Sequence, residues 1–188
     1  NKDSKLIIIL PQDFNQDYTK LKITEFLPDP KGYDDAPMPD GEWVELYNSG
    51  DNPVDVEGLI LNDNYGNGLV ISDTNVMNNN TIIQPHSYLT VYRNEAGVLE
   101  LNNDIDIIHL FYKNLLLDEV SYSHTKESLS WSKSNNKWIL TFPTPDKENY
   151  IEEPDYSSYL KIDKVYLKDD EAKFGETLRV RIIVYKGD

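Results

Sequence analysis

The chain has 188 residues, enough for one domain or for one domain and part of another. It carries 18 Lys and Arg against 33 Asp and Glu, a formal charge of −15. That charge argues against direct duplex nucleic-acid binding, which rests on cations at phosphates. The absence of Cys excludes disulfides, thiolate zinc sites and cysteine nucleophiles, and a 39% hydrophobic content is enough to bury a core.

The chain begins at Asn1 rather than Met and reads as part of a longer or processed polypeptide. No apolar run reaches the length of a membrane span or of a signal core with its flanks. Lys5 to Leu10 is apolar and β-branched without alternation, the pattern of a strand buried on both faces, and Pro11 stops it. It reads either as the end of a preceding domain or as a strand donated to a sheet edge. Residues 1–19 therefore form an N-terminal strand and linker, with Leu6, Ile7, Ile8, Ile9 and Leu10 as interaction candidates.

Strand signals then recur: Leu21 to Leu27, Trp43 to Tyr47, Val54 to Leu61, Leu69 to Ile71, Tyr88 to Tyr92, Ile105 to Tyr112, Leu115 to Tyr122 and Lys137 to Phe142. The segments between them are rich in Gly, Asn, Asp and Pro, which accept positive φ or preset a turn. Lys113-Asn114 turns one hairpin, and no stretch holds a sustained helical period. In Trp43 to Tyr47 the alternation sends Val44 and Leu46 inward and puts Trp43, Glu45 and Tyr47 on the other face. Asn48 and Asp55 are placed to hold turns, and Trp131 and Trp138 to cover sheet ends. Strands of this number and spacing predict an all-β sandwich.

Composition changes after Tyr150. The first 150 residues hold 24 acids and 11 bases, and the remainder 9 and 7. An acidic linker over 151–158 leads to strand signals at Tyr159 to Leu167 and Thr177 to Tyr185. Two strands do not stand alone, so 159–188 reads as the first strands of a second, incomplete β-sandwich-like domain.

Three stretches together carry a resemblance. They are Ile23-Thr24-Glu25-Phe26-Leu27-Pro28-Asp29-Pro30; Glu42-Trp43-Val44-Glu45-Leu46-Tyr47-Asn48 with Val54-Asp55-Val56-Glu57-Gly58-Leu59 behind it; and Ser128 to Trp131 through Trp138 to Pro143-Thr144-Pro145 and Asn149. In this order and spacing the chain resembles the lamin tail domain family, in its bacterial and archaeal branch, over about residues 20–150. Usual members carry Gly where Asp146 stands. The resemblance implies an immunoglobulin-like β-sandwich of lamin-tail type over residues 20–150, without an active site, used as an accessory module on secreted or surface proteins.

Candidate chemistry is sparse. His86, His109 and His124 form no metal pair, and there is no nucleophile elbow or phosphate loop. His109 lies in an apolar strand and reads as structural. Two carboxylates meeting across strands, as in a glycosidase, have no specificity among 33 acids. The loop from Asp29 to Glu42 offers Asp29, Asp34, Asp35, Asp40 and Glu42, oxygen ligands of the kind Ca2+ takes, or else a solvated acidic loop. Asn79-Asn80-Thr81 is the sole N-glycosylation acceptor pattern.

The reading is a non-catalytic module of a secreted or cell-surface protein. It would contact other β-domains of the same or neighbouring chains, including copies of itself in a homo-oligomer, with strand exchange by residues 6–10. The alternatives are an accessory domain of a larger secreted hydrolase or nuclease, and a carbohydrate-binding module using exposed Tyr or Trp.

Overall fold

The computed structural model describes residues 16–95 and 99–151. The chain divides into two units, Asn1–Glu152 and Glu153–Asp188, and the described residues belong to the first. The expected strands at Leu6 to Leu10, Tyr159 to Leu167 and Thr177 to Tyr185 lie outside the described residues.

Eleven strands are described: β1 Leu21–Leu27, β2 Trp43–Asn48, β3 Val54–Asp55, β4 Ile60–Asn62, β5 Gly68–Val70, β6 Ile82–Ile83, β7 Tyr88–Tyr92, β8 Ile105–Tyr112, β9 Leu115–Ser123, β10 Ser130–Ser134 and β11 Lys137–Thr141. They build a five-stranded sheet, β11-β10-β1-β2-β7, a four-stranded sheet, β5-β4-β8-β9, and a small β3-β6 pair. All pairings are antiparallel. The architecture is all-β and consistent with an immunoglobulin-like sandwich.

The main core lies between the two larger sheets. Leu21, Ile23, Phe26, Val44, Leu46 and Val91 come from one side, and Leu61, Leu69, Ile108, Leu110 and Val120 from the other. Strand periodicity accounts for most of it, since residues two apart share a face. Val44 and Leu46 point inward as their alternation predicts.

Two expectations needed correction, and β1 departs from strict alternation. Alternation alone would put Glu25 on the face of Leu21 and Ile23. Instead the register with β2 slips between Ile23 and Glu25. Thr24 is the extra residue of a β-bulge, which shifts the phase by one. Phe26 therefore enters the core, and Glu25 faces out. The expected strand Val54 to Leu61 is two short strands, because Gly58 turns with φ 78° between them. Trp131 and Trp138 do not close the sheet ends. They sit within β10 and β11 and pack half-buried on the main core, with Trp138 5.2 Å from the Phe26 ring. Short strands β6 and β10 went unread, β10 because its serines carry little strand signal.

Turn chemistry fits the sequence. Lys113 turns the β8–β9 hairpin at φ 55°, and Asn135 and Asn136 turn the β10–β11 hairpin at φ 47° and 63°. The Asn48 side chain donates to Asn52 O at 2.8 Å and Ile83 O at 3.1 Å and accepts from Gly50 N at 2.9 Å. Asp55 accepts from Glu57 N at 3.0 Å.

Phe26 is fully buried, with the Tyr122 ring at 4.9 Å as well as that of Trp138. Phe26→Ala is expected to cost about 3–5 kcal/mol of stability. Urea unfolding followed by tryptophan fluorescence checks it, and a loss below about 1 kcal/mol would contradict the tight packing.

A buried carboxylate clasp as the candidate functional site

The outer face of the five-stranded sheet is not open to water. Register places Thr90, Glu45, Glu25 and Ser132 in one row across β7, β2, β1 and β10. All four are fully buried. The segment from Pro143 to Asn149, which leaves β11, covers them as a strap.

Glu25 is the centre of the row. Its Oε1 accepts from Ser130 Oγ at 2.5 Å, Ser132 Oγ at 2.8 Å and Thr144 N–H at 3.0 Å, and its Oε2 accepts from Thr144 Oγ1 at 2.8 Å. A buried carboxylate without such donors would be strongly destabilising. Here the same donors tie the strap to β1 and β10. Glu45 lies beside it as its cross-strand partner. Glu45 accepts from Thr24 Oγ1 at 2.8 Å and from Lys147 N–H at 3.3 Å. Burial pushes the Glu45 carboxyl up to about 8, and the nearby Glu25 and Asp146 push the same way.

Asp146 closes the strap at φ 61°, a conformation that favours glycine. The Asp side chain offsets that strain by accepting from Thr90 N at 2.7 Å, while Asp146 N donates to Thr90 Oγ1 at 3.0 Å. Asn149 completes the clasp, donating to Thr24 O at 2.8 Å and Lys133 O at 3.0 Å. It bonds the carbonyl of the bulge residue.

The row has the composition of an acid pair, but not the access. Glu25 and Glu45 sit opposite each other on adjacent strands under the strap. A cleft of about 440 Å³ runs between Asp17, Lys20 and the 48–54 loop, and another of about 130 Å³ between Leu27, Pro30, Asp40 and Pro143. Neither is lined by Glu25 or Glu45.

The acidic loop is placed differently from residue to residue. Asp35 and Asp40 are exposed, and Asp29 and Asp34 are half-buried. Burial raises the Asp29 and Asp34 carboxyls above their usual range. Gly41 closes the loop at φ 81°, where a Cβ would meet Ala36 O at 2.8 Å. Glu42 turns inward, accepting from Arg93 Nη1 at 2.9 Å and Leu101 N at 3.0 Å. Burial raises it to about 8 against the pull of Arg93. Among the described residues no three or more His, Asp and Glu side chains are gathered as a metal ion requires.

Asn79 is exposed at φ 52°, its Nδ2 donating to Asp73 O at 3.0 Å. The hydroxyl of Thr81, the third residue of that pattern, is buried and donates to Asp55 at 2.7 Å. His109 faces Glu119 across the β8–β9 ladder at 3.7 Å. Leu6 to Leu10 lie outside the described residues.

The antiparallel sheets, with a strap over one outer face, are consistent with an all-β, immunoglobulin-like domain. A family model for the lamin tail domain matches residues 15–173, most of the chain, and the chain belongs to that family. The match runs further toward the C-terminus than the motif resemblance over 20–150. No curated protein and no solved structure matches it. The three motif stretches converge on the clasp: Glu25 from the first, Glu45 from the second, and Ser130, Thr144 and Asn149 from the third. Sequence reasoning quoted them but gave the glutamates no role, because a carboxylate in a strand reads as solvent-facing.

Two outcomes are expected. Glu45 normally titrates near 4.5. Between that value and about 8 the folded chain holds a proton that the unfolded chain releases. Stability is therefore fullest below the lower value, falls as pH rises through the window, and levels off above it. Glu45→Gln should flatten this slope in urea titrations at each pH; an unchanged slope would remove Glu45 from the balance, leaving Glu42 as its source. Asp146→Ala should lose about 1–3 kcal/mol and open the 143–149 strap to limited proteolysis, and a strap still resistant would show that Asp146 is dispensable.

Proposed function

We propose that this chain is a non-catalytic contact module of a larger secreted or cell-surface protein, in the prokaryotic branch of the lamin tail family. It joins other β-domains, copies of itself among them. Family membership, the absence of cysteine, and the lack of a metal cluster among the described residues are consistent with a non-catalytic protein.

The observation that carries this reading is the β9 margin of the four-stranded sheet, which β1 meets at Asp118, where Oδ2 accepts from Ile23 N at 2.9 Å. β9 is nine residues long and, among the described residues, pairs with β8 alone. Its tip leaves Leu115 and Leu116 61% and 42% exposed. Long edges with exposed apolar side chains are the surfaces on which another chain adds. The buried carboxylates, by contrast, all bind groups of this chain. Leu6 to Leu10, apolar and β-branched, supply a segment suited to such an edge.

Light scattering tests the reading. The full chain is expected to self-associate, and association should fall in a variant lacking residues 1–11 and in Leu115→Glu/Leu116→Glu. A full chain that stays monomeric, in calcium and in chelator alike, would overturn self-assembly and leave the accessory-domain role in a secreted hydrolase.

A further inference from the structure

The β4–β5 hairpin turns through Asp63-Asn64-Tyr65-Gly66-Asn67 and enters β5 at Gly68. Asn67-Gly68 is the sole Asn-Gly pair in the chain. In such a pair the glycine nitrogen has no side chain to shield it. Once deprotonated it can attack the asparagine Cγ, expelling ammonia and forming a five-membered succinimide. Water then opens the ring at either carbonyl, giving aspartate or isoaspartate. The reaction needs no enzyme and no other co-reactant.

Three observations bear on whether the pair reacts. Asp63 is 2% exposed, and both its oxygens are turned onto Asn67. Oδ1 accepts from the Asn67 backbone N–H at 2.8 Å, and Oδ2 accepts from Asn67 Nδ2 at 2.7 Å. One carboxylate thereby holds both the backbone N–H and the side-chain amide of Asn67. Asp63 N also donates to Asn67 O at 3.0 Å, closing the hairpin on both sides. Finally, Gly68 fits beneath the Asn62 side chain, where a Cβ would come within 2.5 Å of Oδ1. The close fit favours the one residue that makes Asn67 labile.

We propose that Asn67-Gly68 is a latent site of spontaneous backbone modification, and that the Asp63 carboxylate is the clamp that keeps it closed. The clamp acts twice. It restrains the side-chain amide that must be attacked, and its charge disfavours the anion that forms as Gly68 N attacks. Conversion is one-way. It replaces the amide donor at residue 67 with a carboxylate facing Asp63, so the clamp cannot re-form and the start of β5 loosens.

Peptide mapping by mass spectrometry, with enzymatic methylation of isoaspartate, tests this on the full chain in mildly alkaline buffer. Native wild-type protein is compared with the same protein unfolded in urea. Loss of a bidentate bond to a charged group predicts conversion at Asn67 about ten- to a hundredfold slower in the native state. Asp63→Asn keeps one acceptor for the backbone and loses the one facing Asn67 Nδ2. It should speed conversion while tryptophan fluorescence shows the fold retained. Equal rates in the native and unfolded wild type would overturn the proposal without any variant. So would an Asp63→Asn protein that is folded and as slow as wild type.

Discussion

Everything on the outer face of the larger sheet depends on one carboxylate. Glu25 sits fully buried between the outer face of the five-stranded sheet and the strap, and its two oxygens accept from Ser130, Ser132 and Thr144. A carboxylate in that position is tolerated only when its lone pairs are occupied. The requirement runs both ways, because the strap has no sheet of its own and is fastened by the groups that satisfy Glu25. The arrangement starts from the bulge at Thr24. That single extra residue turns Glu25 out and Phe26 in, so one irregularity sets both the clasp and the core.

The same device recurs elsewhere. Glu42 ties the start of β2 to Arg93 and to the backbone of Leu101. Asp106 takes the N–H groups of Asn64 at 3.0 Å and Asn102 at 3.0 Å, and Asp63 those of Tyr65 and Asn67 at 2.8 Å each. Long connections in a sandwich leave backbone donors without ladder partners. This chain meets them with buried acids, so part of its acidic composition is structural. The consequence is a fold whose loops depend on the protonation and chemical integrity of a few interior side chains.

Those internal commitments also shape the functional reading. An acid pair used in catalysis must meet a substrate, and the bonds of Glu25 and Glu45 go to β1, β10 and the strap. What the molecule presents outward is strand margin, hairpin tip and acidic loop. The proposed contact with another protein chain falls on these surfaces.

The sequence determined the β-class, most of the strand positions, the inward set of β2 and the residues that hold turns. It did so because strand periodicity, Asn and Gly turn chemistry and apolar content act locally. It also held the clasp residues within its family motifs, without showing what they do. Only the tertiary structure decided that. Whether a glutamate in a strand meets water or a strap depends on a bulge of one residue and on a segment more than a hundred positions away, Thr144 against Glu25. Neither leaves a mark in local propensity. The burial of Glu45, the inward turn of Glu42 and the hold of Asp63 on Asn67 follow from which distant or neighbouring backbone donors lack partners, and that is fixed only once the two sheets have packed.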